Sequence, residues 1–173
     1  FYTTALYGNR LKLKKADVLE SKNVGKESVK HLRGNVEFQK GLVQLKCDYG
    51  KHKEKEDIAH LFDNVEVTKE NLSLTCDSIT FYSKQNKVES TGNPKVVDLE
   101  YNLKSDTLIY FTELDSGIAL GQVELYQNKQ KIKADRIEYI KMPGSNTVSY
   151  NAIGNVIIED SLRTATCNLA TYN

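Results

Sequence analysis

Gly121-Gln122-Val123-Glu124-Leu125-Tyr126-Gln127-Asn128-Lys129-Gln130-Lys131-Ile132-Lys133-Ala134-Asp135-Arg136-Ile137-Glu138-Tyr139 decides the fold. Val123 and Leu125 alternate with polar neighbours, Gln127-Asn128 mark a turn, and apolar residues return at Ile132, Ile137 and Tyr139. Alternation is the period of a strand, so the stretch reads as a β-hairpin. The pattern occurs five times. It opens at Gly34-Asn35-Val36, Asp63-Asn64-Val65, Gly92-Asn93-Pro94, Gly121-Gln122-Val123 and Gly154-Asn155-Val156, at intervals of 29, 29, 29 and 33 residues. Thirteen and fourteen positions after the openers stand Cys47-Asp48, Cys76-Asp77, Ser105-Asp106, Ala134-Asp135 and Cys167-Asn168. At eighteen stand His52, Phe81, Tyr110, Tyr139 and Tyr172. Such a period marks supersecondary units that bury their apolar faces only against neighbours.

Turn signals inside each copy (Lys40-Gly41, Lys69-Glu70) and between copies (Ser83-Lys84-Gln85-Asn86, Met142-Pro143-Gly144-Ser145-Asn146) make the chain an antiparallel meander with almost no helix. Residues 1–173 form one domain, with 1–30 as an N-terminal cap, edge strand or half repeat in which Ala16-Asp17 occupies the small-Asp step. If the fifth and eighth positions pair across the tight turn, the opener faces the small residue at thirteen. The apolar parity slips by one beyond that residue, which predicts a β-bulge at the Asp column opposite the Gly column. Both strands then bend along one line. The fold class is all-β: a meander of repeated bent hairpins creased into a V-shaped two-sheet array, apolar columns inward and Glu37, Glu66, Lys95 and Glu124 outward.

With 39% hydrophobic and 27% charged residues, 173 residues suffice for one sizeable core. Lys and Arg nearly balance Asp and Glu, the net charge is +1, and the signs are mixed, so no basic stripe tracks a phosphate backbone and nucleic acid is excluded as a partner. No apolar run has the roughly 18 residues of a membrane span, and Phe1-Tyr2-Thr3-Thr4 lacks signal-peptide anatomy, so any targeting segment is expected to lie outside this chain.

The openers, the small-Asp step and the apolar-x-Tyr that follows it (Leu108-Ile109-Tyr110, Ile137-Glu138-Tyr139) resemble the OstA-like repeats of LptA-type lipopolysaccharide-transport proteins. Arg10-Leu11-Lys12-Leu13-Lys14-Lys15-Ala16-Asp17-Val18-Leu19 and Leu32-Arg33-Gly34-Asn35-Val36 are similar to the start of stand-alone OstA-like proteins. The resemblance implies an open β-jellyroll that shields lipid A acyl chains on the way to the outer membrane. It also implies a periplasmic or outer-membrane-associated address, and edge-to-edge joining with other OstA-like domains of the transport machinery.

An apolar slit between the two sheets is the natural ligand site. Its expected lining is Phe38, Val67, Leu74, Phe81, Val96, Leu103, Tyr110, Leu125, Ile132, Tyr139 and Ile158. The same columns would serve equally in a closed, packed core. Pro94, Asp63 in place of an opening Gly, and Arg163 and Ala165 at apolar positions depart from the pattern and predict local distortion of the third and fifth rungs.

Catalysis finds no support. His31, His52 and His60 lie in the first two repeats without a nucleophile motif, so the chain is not expected to be an enzyme, and no cofactor or metal site is implied. His31 and His60 read as surface or rim residues, and Asp48, Asp77, Asp106 and Asp135 as carboxylates bonding local backbone N–H groups at the crease. The run Lys51-His52-Lys53-Glu54-Lys55-Glu56-Asp57 reads as a solvated hairpin loop. Cys47 and Cys76 sit on equivalent strands with one strand between them, about 10 Å apart at ~4.8 Å per strand, which is beyond disulfide reach. Cys167 lies further along the array still, so three small, reduced, inward-facing thiols are expected.

Two functions from different classes remain. One is a lipid-binding transport module for lipopolysaccharide or a related glycolipid, which needs an open slit. The other is a structural or assembly domain that recruits partners, or further copies head to tail, through its edge strands without carrying lipid.

Overall fold

The structure, a computed structural model, describes residues 11–24, 27–53, 55–141 and 148–172. The turn expected at 142–146 and the segment before residue 11 lie outside them. Two short strands, β1 (Lys12–Lys15) and β2 (Val18–Val24), precede four long ones: β3 (Glu27–Lys40), β4 (Val43–Lys53), β5 (Ile58–Lys69) and β6 (Leu72–Tyr82). Four short strands follow: β7 (Lys87–Thr91), β8 (Lys95–Val97), β9 (Tyr101–Lys104) and β10 (Thr107–Phe111). Long strands then return as β11 (Ser116–Gln127), β12 (Gln130–Lys141), β13 (Val148–Glu159) and β14 (Thr164–Tyr172). Every pairing is antiparallel. The helical structure among the described residues is one 3-10 turn, Ser83–Gln85.

Each long strand is shared between two half-sheets that meet at a crease. The crease runs through the openers, and its chemistry differs from the sequence expectation. Val36 pairs with Cys47, Phe38 with Leu45 and Lys40 with Val43, so the opener does not face position thirteen. The turn centre lies one residue later than expected because Gly41 (φ 60°), Glu70 (φ 53°) and Asn128 (φ 51°) take the first central turn position. At Asn128-Lys129 both central residues are left-handed, as a type I′ turn requires. A displacement of two residues keeps every side chain on its own face, so the inward columns are unchanged.

The bulge lies on the opener rather than at the Asp column. Gly34-Asn35 together oppose Asp48, Asp63-Asn64 oppose Asp77, and Gly121-Gln122 oppose Asp135. Both opener residues are left-handed in every copy, from Gly34 (φ 70°) and Asn35 (φ 46°) to Gly154 (φ 76°) and Asn155 (φ 47°). Two successive left-handed residues on one strand turn it sharply, and Gly and Asn meet that requirement at least cost. Three of the crease aspartates, Asp17, Asp48 and Asp135, bind the next repeat rather than local N–H groups. Asn35 Nδ2 donates to Asp17 at 2.7 Å, Asn64 Nδ2 to Asp48 at 2.6 Å and Asn155 Nδ2 to Asp135 at 2.9 Å. The Asp17 and Asp106 N–H groups donate to the Gly34 and Gly121 carbonyls at 2.9 and 3.0 Å.

Side chains from both half-sheets meet inside. One cluster joins Leu32, Leu61 and Ile79 with Val36, Leu45 and Val65; a second joins Ala119, Ile137 and Ala152 with Val123, Leu125 and Val156. Full burial of each Val, Leu or Ile contributes about 1.5–3 kcal/mol. The third repeat separates the clusters. Its strands break into β7/β8 at Gly92-Asn93-Pro94 and β9/β10 at Ser105-Asp106, as Pro94 predicts. Pro94 is fully buried and its carbonyl accepts the Ser105 N–H at 3.2 Å. The fifth repeat, in contrast, is undistorted: β13 and β14 are unbroken and pair in register on both sides of the crease. Arg163 lies in the turn before β14, where Asp160 Oδ1 accepts its N–H at 2.8 Å, and Ala165 pairs with Ile158 without disturbing the ladder. Residues 12–15 and 18–24 behave as the second strand of a repeat, broken at Ala16-Asp17 and laid along β3.

Candidate functional site

Eight of the eleven expected slit residues fall on one continuous cross-strand ladder of the first half-sheet. Phe38 pairs with Leu45, Leu45 with Val67, Val67 with Leu74, Leu74 with Val96 and Val96 with Leu103. Leu103 pairs with Leu125, Leu125 with Ile132 and Ile132 with Ile158. The other three, Phe81, Tyr110 and Tyr139, lie on one ladder of the opposite half-sheet: Ala59, Phe81, Val88, Tyr110, Gly117, Tyr139, Tyr150. Phe38, Val96, Leu125 and Ile132 are buried and the other seven are half-buried. Sequence reading missed Leu45, Val88 and Tyr150. The last two stand four residues before an opener, a column whose alternation was legible but unread.

The two ends of the slit differ in chemistry. Toward the N-terminal end the rim ladder carries Lys30 and His52, then Ala59, Phe81 and Val88; toward the C-terminal end it carries Tyr110, Tyr139 and Tyr150. The Tyr139 and Tyr150 rings meet edge to face with centroids 5.6 Å apart. A cavity of about 200 Å³ opens beside Tyr150 over a floor of Leu125, Ile132, Ile137 and Ala152. Gln127, Asn128 and Gln130, with Tyr150, complete its lining, which among the described residues contains no charged side chain. Burial pushes Tyr101 up to about 12 and raises Tyr110 well beyond its ordinary value, so both hydroxyls are neutral donors at physiological pH. Tyr110 Oη donates to Asp115 at 2.5 Å and Lys141 Nζ to the same carboxylate at 2.7 Å. Burial alone would raise the Asp115 carboxyl, but these two bonds outweigh it and hold it below the usual carboxylate value.

The thiols divide two to one. Cys47 and Cys76 are buried and free, each donating Sγ–H to the carbonyl two residues on, Tyr49 at 3.1 Å and Ser78 at 3.4 Å. Burial pushes both up to about 11. Cys167 departs from the expectation. It pairs with Val156 on β14 but is exposed, because no strand among the described residues covers β14. His31 and His60 align through Lys51 on the outer face, where His60 stacks on Phe62 at 6.0 Å and shares a 3.0 Å hydrogen bond with Thr80 Oγ1. Lys51–Lys53 belong to β4 rather than to a loop: His52 pairs with Ala59.

The fold defines a class: a β-jellyroll of stacked, creased hairpins with apolar side chains between two half-sheets. The family model for OstA-like protein matches residues 50–173, and the chain belongs to this family. Among solved structures it is similar to a crystal structure of LptH from Pseudomonas aeruginosa, described as the LptA homologous periplasmic component of the conserved lipopolysaccharide transport device. The TM-score is 0.56 at 18% identity, over 76% of this chain and 94% of that one, so the likeness is one of fold. Comparison with curated proteins returns no match. No helix among the described residues is long and apolar enough to cross a membrane.

Proposed function

We propose that the chain is a periplasmic lipid-binding module that shields acyl chains of lipopolysaccharide, or of a related glycolipid, in its slit during transport to the outer membrane. The observation that carries this reading is the unbroken inward ladder from Phe38 to Ile158, which gives an acyl chain an apolar track across successive repeats. Membership of the OstA-like family and the LptH-like fold support it. Each sheltered methylene contributes roughly 0.8 kcal/mol, so about ten supply several kcal/mol, whereas an exposed ion pair contributes ~0–1 kcal/mol. Acyl chains therefore dominate affinity, and no step of the reading calls for catalysis.

The slit residues proposed to touch lipid are the eleven inward ones, led by the half-buried Leu103, Tyr110, Tyr139 and Ile158. Among the described residues β14 pairs only with β13, and its side chains from Thr164 to Leu169 are exposed, so this edge is the proposed joint to another OstA-like domain or to a further copy, head to tail. The test is titration of purified lipopolysaccharide into the wild type, Leu103→Asp and Asn102→Asp. Leu103 faces the slit and its neighbour Asn102 is exposed outside, so both variants add the same charge. Leu103→Asp lowers affinity by about tenfold or more while Asn102→Asp does not. Equal affinities in folded proteins contradict the slit reading and favour a scaffold acting through its edges.

A further inference from the structure

The slit's C-terminal mouth pairs an apolar floor with tyrosine hydroxyls and side-chain amides, and we infer that it selects an amphiphile with a neutral, hydroxyl-rich head group, a glycosyl head rather than a phosphate or carboxylate. This deepens the proposed function and rests on it.

Three observations carry the inference. First, one inward ladder changes character along its length: after Lys30 and His52 at its start, Ala59, Phe81 and Val88 give way to Tyr110, Tyr139 and Tyr150. A core does not require that change, since Phe would fill the same space without a hydroxyl to satisfy. Gly117, between Tyr110 and Tyr139 on this ladder, is buried, and a Cβ placed there would meet the Tyr110 ring at 3.7 Å. Second, the facing edge of the other half-sheet carries Tyr101, Gln127 and Gln130 in mutual register, so hydroxyls and amides line both sides of the opening. Tyr side chains present an apolar ring and a hydroxyl that both donates and accepts, and amides do both as well. That combination matches a sugar, which offers C–H faces to rings and hydroxyls to polar groups. Third, the site favours no anion. Among the described residues no charged side chain lines the cavity, the adjoining hollow that shares Gln127, Asn128 and Gln130 sets Asp98 and Glu100 against Lys129, and the nearby Lys141 is held by Asp115 at 2.7 Å. A phosphate or carboxylate head would lose water without gaining a net counter-charge.

Size restricts the apolar part. About 200 Å³ corresponds to roughly seven water-sized volumes at ~30 Å³ each. The cavity therefore holds part of one chain, and the remainder runs along the ladder toward Leu103.

The test compares n-dodecyl maltoside with n-dodecyl phosphate, both below their micellar concentrations, by calorimetric titration into the whole chain. The wild type binds the maltoside more tightly by about fivefold, the equivalent of one hydrogen bond. Tyr139→Phe/Tyr150→Phe keeps both rings and the fold, checked by circular dichroism, and abolishes the preference while retaining binding of the dodecyl chain. Tyr126→Phe, a 45% exposed ring against Lys131 on the outer face, leaves the preference unchanged. Equal binding of the two probes by the wild type, or a preference that survives in the double variant, overturns the neutral-head inference and leaves the slit standing. Binding of neither probe overturns both.

Discussion

Asn155 Nδ2 donates a 2.9 Å hydrogen bond to the Asp135 carboxylate, twenty residues earlier, and a Cβ placed on Gly154 would lie 2.5 Å from the same Oδ2. The crease is therefore an interlock between successive repeats. The Asp of one repeat fills the space that the missing side chain of the next leaves open. Gly154→Ala combines left-handed strain with this clash and destabilises by about 2 kcal/mol or more. Removing the carboxylate with Asp135→Ala recovers part of that loss. Urea denaturation of the two single variants and the double reads the coupling as about 1 kcal/mol. Simple additivity contradicts the interlock.

Asp63 is the one opener that is not Gly. It holds φ at 60°, where an L side chain is strained, and it faces the crease across from Asp48. Asp63→Gly raises stability by about 0.5–1 kcal/mol, read as a higher denaturation midpoint. A lower midpoint contradicts the strain at Asp63 and shows that its side chain stabilises the crease.

Thiol chemistry distinguishes the covered interior from the uncovered end. Native protein treated with iodoacetamide takes one adduct, on Cys167, and unfolded protein takes three without prior reduction. Mass spectrometry of the digested protein locates the adducts. Early modification of Cys47 or Cys76 contradicts their burial at 4% and 8% exposure.

Alkaline pH weakens the fold. Cys47 and Cys76 are raised from 9.0 to about 11, chiefly by burial, and Tyr101 from 10.0 to about 12 for the same reason. A raised folded-state value means that the unfolded chain loses its protons first, so stability is full below 9.0 and declines as pH climbs through about 11. Denaturation midpoints fall across that window. Cys47→Ala/Cys76→Ala flattens the earlier part of the fall, and an unchanged slope contradicts the assignment.

Much of this molecule was legible in its sequence because the information is repeated. Period-two alternation in five copies fixed which residues face inward, and an error in turn position left those faces untouched because the displacement was two residues. The location of the bulge was not legible. Gly34-Asn35 and Asp48 are neighbours across the strands, and parity counting alone does not say which side carries the extra residue; the left-handed preference of Gly-Asn does. Exposure of Cys167 was missed for another reason: its column faces inward, but coverage depends on a following rung. The break at Pro94 was readable from its missing N–H. The polar mouth was not, because Tyr150 and Gln130 come together with Tyr101 only once β9, β11, β12 and β13 are in register.

The most direct test of the slit uses two adjacent isoleucines. Ile158 points inward on the ladder with Ile132, and Ile157 points outward beside Lys133. A photoreactive amino acid is placed at one position or the other and irradiated with purified lipopolysaccharide. Adducts from position 158 with none from position 157 establish the slit as the lipid path. Equal labelling at the two positions, or labelling from 157 alone in folded protein, contradicts it.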